Sequence, residues 1–255
     1  MSDNPLGGTV ALVTGAGSTV GAATAHRLAR EGAAVALVAP EGDLLDRLVD
    51  EIAARDGHAV AVPADITDPA HAERVVEATL DRFGRLDTLV NNAELRLLGT
   101  ALHALAGEWD RMVSLNVSAL LHVTYAAVPH LIDAASTSPR EVADLVNVSS
   151  TAGRVARPGG SVYHLTRFGL SGFTESLRQE LLAEQVRVSL IEPGAVGTAW
   201  LSLLDEATRA AAVRRTGGAE PLRAGDIADA IGYVVGRERR LAVCEIVLRA
   251  ADQIW

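Results

Sequence analysis

Hydrophobic and polar positions alternate in blocks along this chain, with short apolar runs followed by longer amphipathic stretches. The apolar runs predict seven strands, at residues 10–13, 35–39, 59–62, 86–90, 144–148, 186–191 and 245–248. The amphipathic stretches predict helices near residues 20–31, 43–56, 69–83, 108–132, 162–184 and 226–235. Because several strand runs are apolar throughout, both faces of the sheet should be covered. The pattern therefore predicts an α/β fold with a parallel sheet between helical layers.

Two polar segments interrupt this alternation and are predicted to be loops. They are residues 134–142 and residues 214–225. The second follows an irregular stretch that begins at Pro193, so residues 193–225 are predicted to form a lid over a substrate. A chain of 255 residues is long enough for one sizeable core, and residues 1–255 are predicted to form a single domain.

Composition narrows the classes of function. The formal charge of −9 disfavours a nucleic-acid partner or an anionic membrane surface. The single cysteine, Cys244, excludes an intramolecular disulfide and fits a reducing compartment. The start, MSDNPLGG, does not resemble a secretory signal, and no segment is expected to reach the length of a membrane span. These features predict a cytoplasmic protein that acts on a small molecule. All 23 basic residues are arginine, so a lysine Schiff base is excluded.

The first predicted strand runs into a glycine-rich turn that opens a helix. The segment 14–21 has the sequence TGAGSTVG. Glycines in such a turn let the backbone approach a pyrophosphate, which then lies at the helix N-terminus. By itself the turn is equally compatible with close packing of the strand against the helix.

Further motifs follow in order along the chain. They are Asp65, Asn91-Asn92-Ala93, Asn116, Ser149-Ser150, Tyr163 with Arg167, and Pro193-Gly194 with Thr198. Each is unspecific alone, but the ordered set resembles the short-chain dehydrogenase/reductase family over almost the whole chain. The ending, residues 243–253, is similar to a narrower group of NADP-dependent 3-hydroxy-acid and clavulanate-type dehydrogenases.

The resemblance implies a Rossmann-type, doubly wound, seven-stranded parallel sheet in three α/β/α layers. It implies that Tyr163 is the general acid/base and that Ser150 hydrogen-bonds the same substrate oxygen. Asn116 would organise a helix and a water in a proton relay. Arg167, one helical turn after Tyr163, stands where the family has lysine.

The resemblance also implies a nicotinamide cofactor, NAD or NADP, and no metal. The positions that would contact the cofactor are Gly15, Ser18, Thr19, Gly21, Asp65, Asn91, Ala93, Pro193, Gly194 and Thr198. The family usually pairs subunits through the helices corresponding to 108–132 and 162–184, which implies a homo-oligomer, a dimer or tetramer. Small residues such as Gly169 and Gly172 would allow close approach of helices, or would pack internally in a monomer.

Several cofactor-side positions depart from the family pattern. Arg167 keeps a positive charge, but an arginine does not give up a proton. Thr19 replaces a glycine of the turn, where its side chain would crowd the pyrophosphate, or its hydroxyl would cap the helix or bond a phosphate. Glu94 replaces the glycine of the family's NNAG motif and brings a carboxylate near the nucleotide.

At the end of the second strand, no residue is recognisable as one that binds the adenosine ribose. Ala39 stands where NAD users of the family often carry Asp, and Pro40 stands where NADP users of the similar group carry Arg. Glu41 should repel a 2′-phosphate. The substrate-side pair, Ser150 and Tyr163, is intact.

Two hypotheses remain open on the sequence. The first is an oxidoreductase that interconverts a keto and a hydroxy group on a small metabolite, with atypical cofactor contacts. The second is a protein that has lost redox function and binds no cofactor: either a non-redox acid/base catalyst of the cyclase or dehydratase type, or a noncatalytic partner subunit of an active homologue. His164, Arg154 and Arg157 lie near the predicted site; the arginines would bind a carboxylate there or be ordinary surface residues.

Overall fold

A computed structural model describes residues 4–197 and 220–253 of the chain. Seven parallel strands form one sheet in the order β3-β2-β1-β4-β5-β6-β7. The strands are β1 (Val10–Thr14), β2 (Ala34–Ala39), β3 (His58–Pro63), β4 (Thr88–Asn91), β5 (Ala143–Val148), β6 (Val186–Pro193) and β7 (Glu245–Leu248). The predicted α/β class and the seven-stranded parallel sheet are confirmed.

The helices that connect the strands largely follow the predicted positions. They are α1 (Thr19–Arg30), α2 (Gly42–Ala53), α3 (Pro69–Phe83), α4 (Ala106–Val113), α5 (Leu120–Thr137), α6 (Ser161–Glu180) and α7 (Ala224–Val235). A π-helical segment, Ser114–Ala119, joins α4 to α5 without a break. Short 3-10 turns lie at Thr151–Gly153 and Leu182–Glu184.

Several predicted boundaries shift by one to three residues, and two differ by more. The loop predicted at 134–142 begins later, because α5 continues to Thr137. Ala134 and Ala135 are buried there, so packing extends the helix through residues that favour a loop. The helix predicted to reach residue 184 ends at Glu180 and gives way to the 3-10 turn.

The apolar side chains form one core on each face of the sheet. One core joins the inner faces of α1, α2 and α7 to the strands, and the other joins α3, α5 and α6. The strand order reverses between β1 and β4, since β2 and β3 lie on one side of β1 and the later strands on the other. In open parallel sheets a crevice forms outside the carboxyl ends of the strands at this point, and ligands bind there.

One helical stretch is longer than the sequence led us to expect. Gly107–Thr137 runs for 31 residues with a mean hydropathy of 1.3 over its most apolar window, which meets the length and composition of a membrane span. The expectation that no segment reaches that length is therefore wrong. The stretch packs against α3, β4 and β5, and 39% of its most apolar window is buried.

Candidate active site

The turn after β1 requires glycine at two positions. Gly15 has a φ of +65°, and a β-carbon there would lie 2.8 Å from Cα of Ala93. A β-carbon on Gly21 would overlap the carbonyl oxygen of Gly15. Ser18 caps α1, because its Oγ accepts a hydrogen bond of 3.1 Å from the backbone N–H of Gly21. Thr19 is exposed at the first position of the helix, so a helix N-terminus suited to an anion opens beside the crevice.

The end of β4 is attached to this turn. Oγ1 of Thr14 accepts hydrogen bonds from the backbone N–H groups of Asn92 and Ala93, at 3.0 and 3.1 Å. The side-chain amide of Asn92 donates to Thr14 O at 3.0 Å and to Oγ of Ser18 at 3.3 Å. These bonds hold the backbone after Ala93 at a set position over the crevice.

Asn91 lies close by, but its side chain is committed to the interior. Its amide nitrogen donates to Oγ1 of Thr124 and Oδ1 of Asn147, both at 3.0 Å, and Asn147 continues to Oγ1 of Thr174 at 2.9 Å. This chain of buried polar groups joins β4 and β5 to α5 and α6. The side chain of Asn91 therefore has a structural role here.

The positions expected near the adenine end lie at the edges of β2 and β3. Asp65 is exposed and accepts hydrogen bonds from the hydroxyl and the backbone N–H of Thr67, which lower the pKa of its carboxyl. Oε2 of Glu41 would lie 3.6 Å from a β-carbon on Gly17. The glycine turn therefore has a carboxylate on its β2 side.

On the other side of the crevice, Pro193 ends β6 and is buried. The N–H of Gly194 donates to Leu248 O at 2.7 Å, and a side chain on Gly194 would overlap Gln253. Thr198 and most of the predicted lid lie outside the described residues. The two ends of that segment meet where Val196 pairs with Leu222.

The predicted catalytic side chains converge between β5 and α6. Tyr163 in the first turn of α6 is 3% exposed, and Ser150, two residues after β5, lies beside its hydroxyl and lowers its pKa. Arg167, one turn later, is 1% exposed, and its Cζ lies 5.2 Å from the centre of the Tyr163 ring. Nη1 of Arg167 donates to Val148 O at 3.3 Å. The spacing of 163 and 167 thus places a cation against the phenol.

Glu94 occupies a position that the sequence did not predict. Its Oε2 accepts a hydrogen bond of 3.1 Å from the Tyr163 hydroxyl and lies 3.1 Å from Nη2 of Arg167. The contact with Arg167 is an ion pair rather than an aligned hydrogen bond, since Nε and Nη2 of the buried guanidinium have no hydrogen-bond partner among the residues that the structure describes. The opposite charges of the two departures from the family pattern, Glu94 and Arg167, were the sequence feature that could have indicated this pairing.

Asn116 fixes the segment that carries Glu94. Its Oδ1 accepts from the N–H of Leu95 at 2.7 Å, and its Nδ2 donates to the carbonyl of Leu95 at 2.8 Å and to Oγ1 of Thr166 at 3.4 Å. Asn116 lies in the π-helical segment, a feature frequent at functional sites. It is a positioning residue for the backbone next to Glu94.

The surroundings of Tyr163 make its phenol a weak acid. Burial of the phenol, together with the negative charge of Glu94, raises the pKa of Tyr163 to about 12. Arg167, Arg96 and the hydrogen bond from Ser150 lower the pKa but do not offset burial. The positive charge of Arg167 therefore still lowers the pKa of the phenol, but desolvation has the larger effect.

Three further residues near the site have structural partners. Arg154 pairs with Glu192 at 2.5 Å and also with Glu245, so it ties the loop after β5 to β6 and β7. Burial raises the pKa of Glu192, and Arg154 opposes that shift. The ring of His164 hydrogen-bonds Ala152 O through Nδ1 and accepts a hydrogen bond from the backbone N–H of Arg157 through Nε2, so it stabilises the same loop.

Within residues 4–197 and 220–253, no group of three or more His, Cys, Asp and Glu side chains is placed to hold a metal ion.

Comparisons with known proteins point to one family. The family model for short chain dehydrogenases matches residues 9–208. Glycine betaine reductase ATRR of Emericella nidulans is 34% identical over 98% of this chain, which spans only 19% of the length of that relative.

Two solved structures are similar over nearly their whole length. A short chain dehydrogenase from Burkholderia cenocepacia, in complex with NADP, is 29% identical with a TM-score of 0.85, covering 98% of this chain and 99% of that one. A 3-ketoacyl-(acyl-carrier-protein) reductase from Brucella melitensis, complexed with NADH, is 30% identical with a TM-score of 0.85, covering 98% and 100%.

Proposed function

This chain belongs to the short-chain dehydrogenase family, and from that premise we propose that it is an NADH-preferring reductase of a carbonyl group on a small molecule. The observation that carries the proposal is the buried hydroxyl of Tyr163, with Ser150 beside it and Arg167 against its ring. A protonated phenol next to a second hydroxyl is suited to donate a proton to a carbonyl oxygen.

The residues present fit a nicotinamide dinucleotide. Gly15, Gly21 and the capped N-terminus of α1 form a cradle of the kind that binds a pyrophosphate. A β-carbon on either glycine would clash with the surrounding backbone. When bound, the cofactor supplies the hydride. Ser150 then orients the carbonyl oxygen by a hydrogen bond, and Tyr163 delivers the proton that makes it a hydroxyl. Because the pKa of Tyr163 is raised to about 12, the phenol holds its proton at neutral pH, which favours reduction.

The substrate class is tested with acetoacetyl-coenzyme A, since the similar Brucella protein is a 3-ketoacyl reductase. Purified protein with NADH and this thioester should consume NADH in proportion to 3-hydroxyacyl product. NADH consumption without a reduced product, or none with any of a panel of ketones and keto acids, would contradict the reductase proposal.

NADH should bind at least ~10-fold more tightly than NADPH, because a lost arginine contact to phosphate forfeits about 1.5–3 kcal/mol. Glu41 supplies the reason, since its carboxylate beside Gly17 would accept from a ribose hydroxyl and repel a 2′-phosphate. Replacing Pro40→Arg together with Glu41→Arg should reverse the preference, as measured by nicotinamide fluorescence titration. Tighter binding of NADPH by the wild type would show that another arginine binds the phosphate.

A second function is favoured by the contact between Glu94 and Tyr163. A carboxylate hydrogen-bonded to a phenol can transfer protons to and from a substrate without any hydride transfer, as a cyclisation or dehydration requires. Measuring cofactor binding distinguishes the two candidate functions. Calorimetry showing no heat with NADH or NADPH would leave the non-redox catalyst, or a noncatalytic partner subunit, as the explanation.

The oligomer that we propose is a homodimer or tetramer built on α5 and α6. Leu121 and Tyr125 of α5, at 40% and 82% exposure, and Phe168 of α6, at 45%, expose apolar area on this side of the molecule. A groove of about 680 Å³ lies between α3, α5 and α6. A β-carbon on Gly169 or Gly172 would meet no atom of the described part of the chain within 4 Å, so these glycines leave room for a second copy.

Replacing Phe168→Arg should convert the oligomer to a monomer, because a charge cannot be buried unpaired at a helix interface. Light scattering at micromolar concentration measures the mass. Leu102→Arg is the matched control, as Leu102 is 90% exposed on the loop after β4. A monomeric wild type would contradict the proposed oligomer.

We also propose that residues 1–255 work as one soluble, cytoplasmic domain.

A further inference from the structure

The carboxylate of Glu94 lies between the buried reaction centre and solvent. The same oxygen, Oε2, contacts the Tyr163 hydroxyl and Nη2 of Arg167, each at 3.1 Å. The side chain of Glu94 is 43% exposed, whereas that of Arg167 is 1% exposed and Tyr163 is 3% exposed. Glu94 therefore touches both water and a phenol that water scarcely reaches.

Glu94 is held in this place from both sides. The residue before it, Ala93, donates its N–H to Oγ1 of Thr14 at 3.1 Å. The residue after it, Leu95, is bound through both its N–H and its carbonyl by the amide of Asn116, at 2.7 and 2.8 Å. Hydrogen bonds on both sides therefore fix the backbone from which the side chain of Glu94 reaches Tyr163.

Each reduction leaves Tyr163 one proton short, and that proton must come from water. Within residues 4–197 and 220–253, the groups that face Tyr163 are Ser150, Arg96, Arg167, Glu94 and the edge of the His164 ring. Serine does not titrate in this range, and arginine does not give up a proton. Both ring nitrogens of His164 bond the backbone of the neighbouring loop. Among these described groups, Glu94 is the one in contact with the phenolic oxygen that can take up and release a proton.

We propose that Glu94 is a catalytic residue that relays protons between solvent and Tyr163. The relay rests on the proposed reductase function. In each turnover the carbonyl carbon gains a hydride, and Tyr163 gives its proton to the carbonyl oxygen. Glu94, having taken a proton from water, passes it to the phenolate, so one proton leaves solvent for each hydroxyl formed. Arg167 keeps the carboxylate of Glu94 next to the Tyr163 hydroxyl through the ion pair but does not itself exchange a proton.

The first test needs no substrate. Ultraviolet titration follows the ionisation of Tyr163, isolated by subtracting the titration of Tyr163→Phe. Since the carboxylate of Glu94 raises the pKa of this phenol, Glu94→Gln should move its ionisation to lower pH. The control is Glu238→Gln, an exposed glutamate paired with Arg240 far from the site. Identical midpoints for Glu94→Gln and wild type would overturn the contact and with it the proposal.

The second test is stopped-flow oxidation of NADH with acetoacetyl-coenzyme A. Glu94→Gln should oxidise one NADH per site at nearly the wild-type rate and then slow by ~10-fold or more, within the range of general acid/base effects. A structural defect would slow the first turnover as well. In Glu94→Ala, added acetate should restore part of the steady-state rate, because a small carboxylate can enter the space left by the side chain.

The outcomes separate the relay from the function on which it rests. Loss of activity in Tyr163→Phe with unchanged steady-state rates in Glu94→Gln overturns the relay and leaves the reductase intact. Faster turnover in Glu94→Ala without acetate also overturns it, because Glu94 would then obstruct the site. Wild-type protein that oxidises no NADH contradicts the reductase, while the titration still decides whether Glu94 and Tyr163 are coupled.

Discussion

Replacing Tyr163→Phe should reduce kcat by about 10²–10⁴-fold, the usual contribution of a general acid, with little change in cofactor affinity. The change removes the hydroxyl that Ser150 and Glu94 contact and leaves the buried ring in place. Because the ring stays, unfolding temperature should be close to that of wild type. The measurement is steady-state NADH oxidation with acetoacetyl-coenzyme A, with circular dichroism as the check on folding.

The pH dependence of the wild type follows from the same residue. Burial raises the pKa of Tyr163 to about 12, so the protonated acid predominates through neutral and mildly alkaline pH. Reduction should be flat over that range and fall only as pH approaches the phenol's pKa. Oxidation needs the deprotonated form and should rise steadily with pH. Tyr233→Phe is the matched control, since Tyr233 is exposed on α7, away from the proposed oligomer face. Equal activity in Tyr163→Phe and wild type would remove Tyr163 from the mechanism.

Replacing Arg167→Met should cost about 10²-fold or more in kcat, because it removes the cation beside Tyr163 and Glu94 and keeps most of the volume. Without the guanidinium, the pKa of Tyr163 should rise above its present value, and the oxidation profile should shift to higher pH. Arg167→Lys keeps the charge and should be tolerated or improve turnover.

Arg167→Ala separates charge from packing. It removes the same cation as Arg167→Met but also leaves a cavity at a fully buried position, so it should unfold at a lower temperature. The activity of the two variants should be similar if charge dominates. Arg167→Met with wild-type kcat and an unchanged pH profile would show that Arg167 only fills space.

The sequence determined the class of the fold through local rules. A parallel sheet buried on both faces needs apolar strands, and helices that cover it need one apolar face, so both leave a periodic pattern in the chain. The glycines of the first turn were equally visible, because Gly15 adopts a left-handed backbone and Gly21 packs against it. The pairing of Tyr163 with Arg167 also followed from helical spacing, since both lie on one face of α6.

Tertiary structure decided which groups meet across that framework. Glu94 lies in the loop after β4 and Tyr163 lies in the first turn of α6. Their side-chain oxygens come within 3.1 Å of each other only because the parallel sheet places these two segments side by side. Asn91 looked like a cofactor contact, but the register of β4 against β5 turns its amide inwards to Asn147. The ionisation of Tyr163 depends on how much water its neighbours exclude, a quantity that no local pattern contains. Local sequence determines periodicity and backbone conformation, whereas distances between remote charges and their desolvation arise only when the layers pack.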